Sequence, residues 1–271
     1  NGCYTAKQRI LDATVEAKLA VDAASLTVDC CALRKTNVVI WKVKAEGAAL
    51  PVWIRFAPTS RDGDEVDFSK KISGNRIIIQ KNYDEPKLEW PVKTKLTATL
   101  WGKDRFAFTL QPGETVLLVA PFYTNQDSEN YTDLCDADSV SITPETIPAL
   151  EKAHMGWWTD FWKSSYISLP GEPEIERHWY ASHYLMACCC EKGKFPPGIF
   201  GSWITNDNPN WGADYHMNYN YQAPWWGCYS SNKVELSDVY DQPLLDYMPK
   251  AQRAAREKLN CRGLYLQVGI G

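Results

Sequence analysis

Short runs of β-branched and aromatic residues fill the first 125 positions, and several alternate apolar with polar at period two. The clearest are VVIWKVKAEG (Val38 to Gly47), PVWIRFAP (Pro51 to Pro58), NRIIIQKN (Asn75 to Asn82), KLTATLWG (Lys95 to Gly102), RFAFTL (Arg105 to Leu110) and ETVLLVAPF (Glu114 to Phe122). Turn-forming clusters lie between them, among them Glu46-Gly47, Ser73-Gly74-Asn75, Gly102-Lys103-Asp104 and Gln111-Pro112-Gly113. Strands of this length and spacing predict an antiparallel β-sandwich over residues 1–125. Nothing in it suggests catalysis. The acidic cluster from Arg61 to Asp67 lacks the ligand spacing of a calcium loop and reads as a solvated turn.

Residues 126–142 are polar and acidic and read as a linker. Within them Asn130-Tyr131-Thr132 matches a glycosylation triplet, a pattern that also arises by chance. The period then changes. Thr143-Pro144-Glu145 is a helix start, and Leu150, His154, Trp157, Trp158, Phe161 and Trp162 recur at three- and four-residue steps. An aromatic stripe at helical spacing is expected to be core, with His154 packed and hydrogen-bonded inside it. Glu174 to Cys190 predicts a second helix, and Glu235 to Leu259 a third, interrupted at Pro243 and Pro249. The final LYLQVGIG is apolar with no closing element. Residues 143–271 thus read as a helical domain.

Bulk composition narrows the choices. The chain has 271 residues, 45% hydrophobic and 23% charged, which suits a folded globular protein of one or two domains. A net charge of −4 without a Lys/Arg stripe argues against a nucleic-acid partner. No apolar run approaches the ~20 residues of a membrane span. The nine cysteines are an odd number, no Cys/His spacing suggests zinc, and most are expected to be small buried hydrophobes. No metal and no cofactor is expected.

Chemistry concentrates between Trp203 and Asn232. These thirty residues hold four tryptophans, four tyrosines, six asparagines, two aspartates, a histidine and a glutamine. Such a stretch cannot be buried whole without unsatisfied polar groups. It fits a concave wall in which flat aromatic faces alternate with hydrogen-bonding groups. Sugars match that surface, because their C–H faces stack on indole while their hydroxyls need amides and carboxylates. An oligosaccharide or glycan is therefore the expected ligand.

Several patterns occur together: HxxWWxxFW from His154, IExxWYxxxYLMA from Ile175, Gly201-x-Trp203, the run Asp214-Tyr215-His216-Met217-Asn218-Tyr219-Asn220-Tyr221-Gln222, then Trp225-Trp226 and Ser231-Asn232-x-x-Glu235-Leu236. In combination, from about His154 to Arg256, they resemble bacterial glycoside hydrolases that join a β-sandwich to an (α/α)6 barrel, in particular glycoside hydrolase family 95, the α-L-fucosidases. The resemblance implies that residues 143–271 are the N-terminal part of such a barrel. It implies that Asn218 and Asn220 hold the attacking water of an inverting, exo-acting glycosidase. Stacking and hydroxyl binding would fall to Trp203, Trp211, His216, Gln222, Trp225 and Trp226, with Asp214 the carboxylate placed to bind a sugar diol. Gln222 stands where the fucosidases typically carry glutamate. By the same resemblance the general acid and the water-activating carboxylate lie beyond Gly271, so the chain is expected to be part of a larger enzyme whose remainder is its partner.

Two other classes share these features. A non-catalytic carbohydrate-binding module would present the same wall, and a polysaccharide lyase or phosphorylase shares the helical toroid. The substrate class favours a periplasmic or secreted protein, while the cysteines leave the cytoplasm open, so location stays undetermined.

Overall fold

The computed structural model describes residues 2–56, 67–83, 91–201 and 209–270. Trp203 and most of the acidic turn that begins at Arg61 lie outside them. The chain divides into two compact units, Asn1–Asp160 and Phe161–Gly271.

Among its described residues the first unit has ten strands: β1 (Gly2–Arg9), β2 (Thr14–Val21), β3 (Ala24–Ala32), β4 (Val38–Glu46), β5 (Leu50–Trp53), β6 (Asp67–Ser73), β7 (Arg76–Tyr83), β8 (Val92–Trp101), β9 (Ala107–Leu110) and β10 (Thr115–Thr124). Eight of them form one antiparallel sheet in the order β1-β2-β3-β4-β10-β8-β7-β6. The other two, β5 and β9, pair into a second, small sheet. Val43, Ala45, Leu100, Val116 and Leu118 of the large sheet are buried against Leu50, Val52 and Phe108 of the small one. The opposite face of β4 and β10, with Val38, Ile40, Leu117 and Val119, packs on Ile142 and Ile147. Both faces of the central strands are thus covered. That is why β10 reads as an unbroken apolar run, buried from Val116 to Pro121, and not as an alternation.

β1, β2 and β3 carry no signal of this kind in the sequence. β1 is almost wholly exposed, so no apolar stripe marks it. The bend into β2 places Ala13 at φ 50°, a residue that does not advertise a turn. Residues 126–142, read as a linker, contain a helix, α1 (Tyr131–Ser141). Its buried positions are the small residues Cys135 and Ser139, one turn apart, which leaves a polar pattern despite the packing. Cys135 lies 3.5 Å from the Lys95 carbonyl oxygen, and Asp136 accepts from Lys95 Nζ at 2.7 Å.

The helix α2 (Ile147–Ser164) begins after a turn in which Ile147 N–H donates to the Thr143 carbonyl at 3.1 Å. His154 is buried on it, as its helical spacing predicts. Its Nδ1 accepts from the Arg34 backbone N–H at 3.0 Å, which obliges Nε2 to carry the proton donated to the Asp12 carbonyl at 2.7 Å. Trp158 is buried beside it, and the Arg34 guanidinium lies 4.0 Å over the Trp157 ring.

The second unit continues with α3 (Pro173–Cys189), β11 (Tyr215–His216), α4 (Tyr219–Ser230), α5 (Gln242–Leu259) and β12 (Gly269–Ile270). The third predicted helix is resolved into a short 3-10 turn at Val234–Val239 and the continuous helix α5. Pro243 sits in the first turn of α5, where no intrahelical N–H bond is needed, and Pro249 is carried inside the helix. Tyr247, Ala251 and Ala255 bury the helix face around that position. The C-terminal apolar run does have a closing element: β12 pairs with β11, and Met217 N–H donates to the Val268 carbonyl at 2.7 Å. No helix of the described residues is long and apolar enough to cross a membrane.

Candidate functional site

Two cavities flank the start of α4. The first, about 300 Å3, is lined by His216, Asn220 and Trp225, with Phe200 from the preceding loop and Met186 and Cys189 from the end of α3. The second, about 260 Å3, is lined by Asn218 and Gln222 together with Tyr240 and Gln267. Helical geometry is the reason for the split. Positions two apart on a helix point some 200° apart around the axis, so Asn218 and Asn220 enter different cavities.

Asn218 is the N-cap of α4, and its side-chain oxygen accepts from the Asn220 N–H at 3.4 Å. That leaves its amide NH2 to donate elsewhere. Gln222 donates to the Met217 carbonyl at 3.4 Å. The two tryptophans of the pair are also separated. Trp225 is 2% exposed and packs edge-on against Tyr240 at 5.4 Å. Trp226 is 57% exposed, lines neither cavity, and meets Tyr219 edge-on at 5.6 Å.

Asp214 and His216 form a dyad. His216 Nδ1 donates to Asp214 Oδ1, because a carboxylate can only accept; Nε2 is then the ring nitrogen left for the cavity. The pair is held by the β11–β12 ladder. Gly269 of β12 makes room for the carboxylate, since a Cβ there would stand 2.7 Å from Asp214 Oδ2. Beneath the dyad, Tyr215 donates to the Pro196 carbonyl at 3.1 Å, and burial pushes its pKa up to about 12. Tyr221 donates to the Tyr240 carbonyl at 2.6 Å, and burial raises its pKa as well. Both phenols therefore serve as bracing donors rather than as acids.

Trp211 stands at the rim. It is 70% exposed and has φ 51°, followed by φ 65° at Gly212 and 54° at Ala213. A left-handed conformation costs a non-glycine residue about 1–2 kcal/mol. The indole lies nearly parallel to Phe200, with centroids 6.4 Å apart, and 5.9 Å from the His216 ring.

The structure thus brings His216, Asn220 and Trp225 to one cavity, with Asp214 behind and Trp211 at its edge. It places Asn218 and Gln222 in the neighbouring cavity and Trp226 outside both. The apolar wall from Leu185, Met186, Ile199 and Phe200 was not legible as part of a site. Two of those residues read as ordinary helix and two as an ordinary loop. No Lys or Arg, and no Asp or Glu, lines the first cavity among the described residues.

Residues 151–269 match the family model of the glycosyl hydrolase family 95 catalytic domain. Among solved structures the chain is similar to a protein described as a kojibiose phosphorylase from human microbiome, with a TM-score of 0.63 and 10% identity over 98% of this chain and 39% of that one. It is similar at lower scores to a bacterial glucoamylase complexed with acarbose (TM-score 0.49, 10% identity, 93% of this chain and 42% of that one). A family GH92 α-mannosidase from Bacteroides thetaiotaomicron follows at TM-score 0.32 and 10% identity, over 68% of this chain and 26% of that one. No curated protein sequence matches. The chain spans less than half the length of the structures it matches. The architecture is a β-sandwich followed by part of an (α/α)6 helical barrel.

Proposed function

With residues 151–269 matched to the catalytic domain of glycosyl hydrolase family 95 as the premise, we propose that the chain is the substrate-binding part of an exo-acting glycoside hydrolase. The observation that carries this is the first cavity. An Asp-oriented imidazole and the amide of Asn220 face a space walled by Phe200, Trp225 and aliphatic side chains, with no cation in its described lining. Such a space suits a neutral sugar ring: the C–H face meets the apolar wall and the hydroxyls meet His216 and Asn220.

An inverting glycosidase needs a carboxylic acid on the leaving group and a carboxylate on the attacking water, on opposite sugar faces about 6.5–9.5 Å apart. Asp214, turned toward His216, does not make such a pair by itself. In this reading Asn220 orients the water, Asn218 faces the neighbouring cavity and acts as the N-cap of α4, and the acid and base come from farther along the barrel. An α-L-fucoside is the substrate that the family relation suggests.

Aryl glycosides test this when they are given to the protein with the remainder of the barrel in place. Release of phenol with inversion, followed by NMR of the first-formed sugar anomer, supports the reading. A kcat reduced about a hundredfold in N220A with little change in KM would support the water-holding role. Retention of configuration, or an unchanged N220A, counts against it. Phosphate-dependent formation of a sugar phosphate would move the activity to phosphorolysis. The lack of a carboxylate pair in the cavity lining favours a second reading for this chain, sugar binding without cleavage. Calorimetric binding of a sugar by that longer protein, with no phenol released, would select it.

A further inference from the structure

Trp211 carries exposure and backbone strain that folding alone does not require. Its indole is 70% exposed, so it adds little to any core. It opens a run of three left-handed residues, of which only Gly212 adopts that conformation without strain. The loop is nevertheless held firmly. A methyl on Gly198 would stand 2.6 Å from the Ala213 carbonyl oxygen, and Ile199 N–H donates to the Asp214 carbonyl at 3.0 Å. The indole is thereby fixed within 5° of parallel to Phe200 and 5.9 Å from His216. Phe200 and His216 line the first cavity, so Trp211 continues the cavity wall outward. At about 300 Å3 the cavity is at the small end for ligand sites, with room for one ring rather than a chain.

We propose that Trp211, extending the Phe200 wall, is a stacking platform for a second sugar ring adjoining the one in the cavity, so that the site selects a glycan of two or more residues over a monosaccharide. A rigid, pre-oriented indole suits that task, because no loop has to be ordered when the ring arrives. The inference rests on the carbohydrate reading of the cavity.

The test is calorimetric titration of the 271-residue chain with matched pairs: L-fucose against a fucosyllactose, and glucose against kojibiose. The expected result is tighter binding of the longer member of at least one pair. W211A should then weaken that oligosaccharide about tenfold and leave its monosaccharide unchanged. W211F should keep most of the preference, and far-UV circular dichroism establishes that both variants are folded. If W211A leaves the oligosaccharide unchanged, weakens both members equally, or if the wild type shows no preference, the platform is overturned. If the wild type binds none of the four sugars, the carbohydrate reading fails and the inference fails with it.

Discussion

Gly269 shows how a residue outside the aromatic stretch can govern it. Its missing side chain makes room for Asp214 Oδ2, so G269A pushes a methyl onto the carboxylate that orients His216. We expect G269A to weaken sugar binding about ten- to a hundredfold while the chain still folds, measured by calorimetry and circular dichroism. Tyr215, on the other side of the dyad, has a pH signature. Its folded pKa of about 12 lies above the ordinary value of 10.0, so the folded state holds the phenol proton more tightly. Its contribution to stability is full below pH 10 and is lost as pH rises from about 10 to about 12. Y215F should flatten that part of the alkaline decline in urea unfolding. At neutral pH it should cost about 1 kcal/mol through loss of the bond to the Pro196 carbonyl. The side chains of this region were legible as a group from their types alone. Their partition was not, because Asn218 and Asn220, and Trp225 and Trp226, are neighbours in sequence and diverge only when helix α4 fans them around its axis.

At the scale of elements, Lys233 ties the 3-10 turn at Val234–Val239 to the end of α2. Its side chain is fully buried, and Nζ donates to the Phe161 carbonyl and to Ser164 Oγ, the latter at 2.6 Å. Nζ also lies 4.0 Å over the Phe161 ring. Burial lowers its pKa, yet the cation sits where the last carbonyls of a helix favour positive charge. K233A leaves a cavity and removes two hydrogen bonds from the end of α2, and should cost about 3 kcal/mol in denaturant unfolding. K233M, which fills the space, should cost distinctly less; equal costs would show that the hydrogen bonds, not the volume, dominate. Nothing in the sequence pointed to this lysine, since a lone charge in a polar stretch reads as solvated. Helix α1 was hidden for a related reason: its buried side is Cys135 and Ser139, too small to print an amphipathic stripe.

For the molecule as a whole, cysteine burial gives a direct check. Cys31, Cys135, Cys190 and Cys228 are buried, whereas Cys3, Cys188 and Cys261 are exposed. Burial pushes the Cys31 thiol up to about 12 and the Cys228 thiol to about 11, so both are poor nucleophiles as well as shielded. A thiol reagent at neutral pH should therefore modify Cys3, Cys188 and Cys261 well before the buried four, with peptide mass mapping as the readout. Early labelling of Cys135 or Cys228 would contradict the packing. The same burial fits the sequence expectation only in part, since four thiols are buried and Cys30 and Cys189 are half-buried.

What the sequence determined by itself was periodic or compositional: strands of the covered sheet centre from Val38 to Phe122, the helical second half, and the clustering of aromatic and amide side chains after Trp203. These are local properties, written in spacing and residue type. Tertiary structure alone decided the rest. The edge strand β1 and its neighbour β2 exist through ladder hydrogen bonds that any sequence can make. The C-terminal run becomes part of the site because β12 pairs with β11, more than fifty residues earlier in the chain. The two asparagines part because a helix start, not a loop, carries them. Long-range pairing and side-chain direction depend on where the backbone goes in space, and no local pattern encodes that.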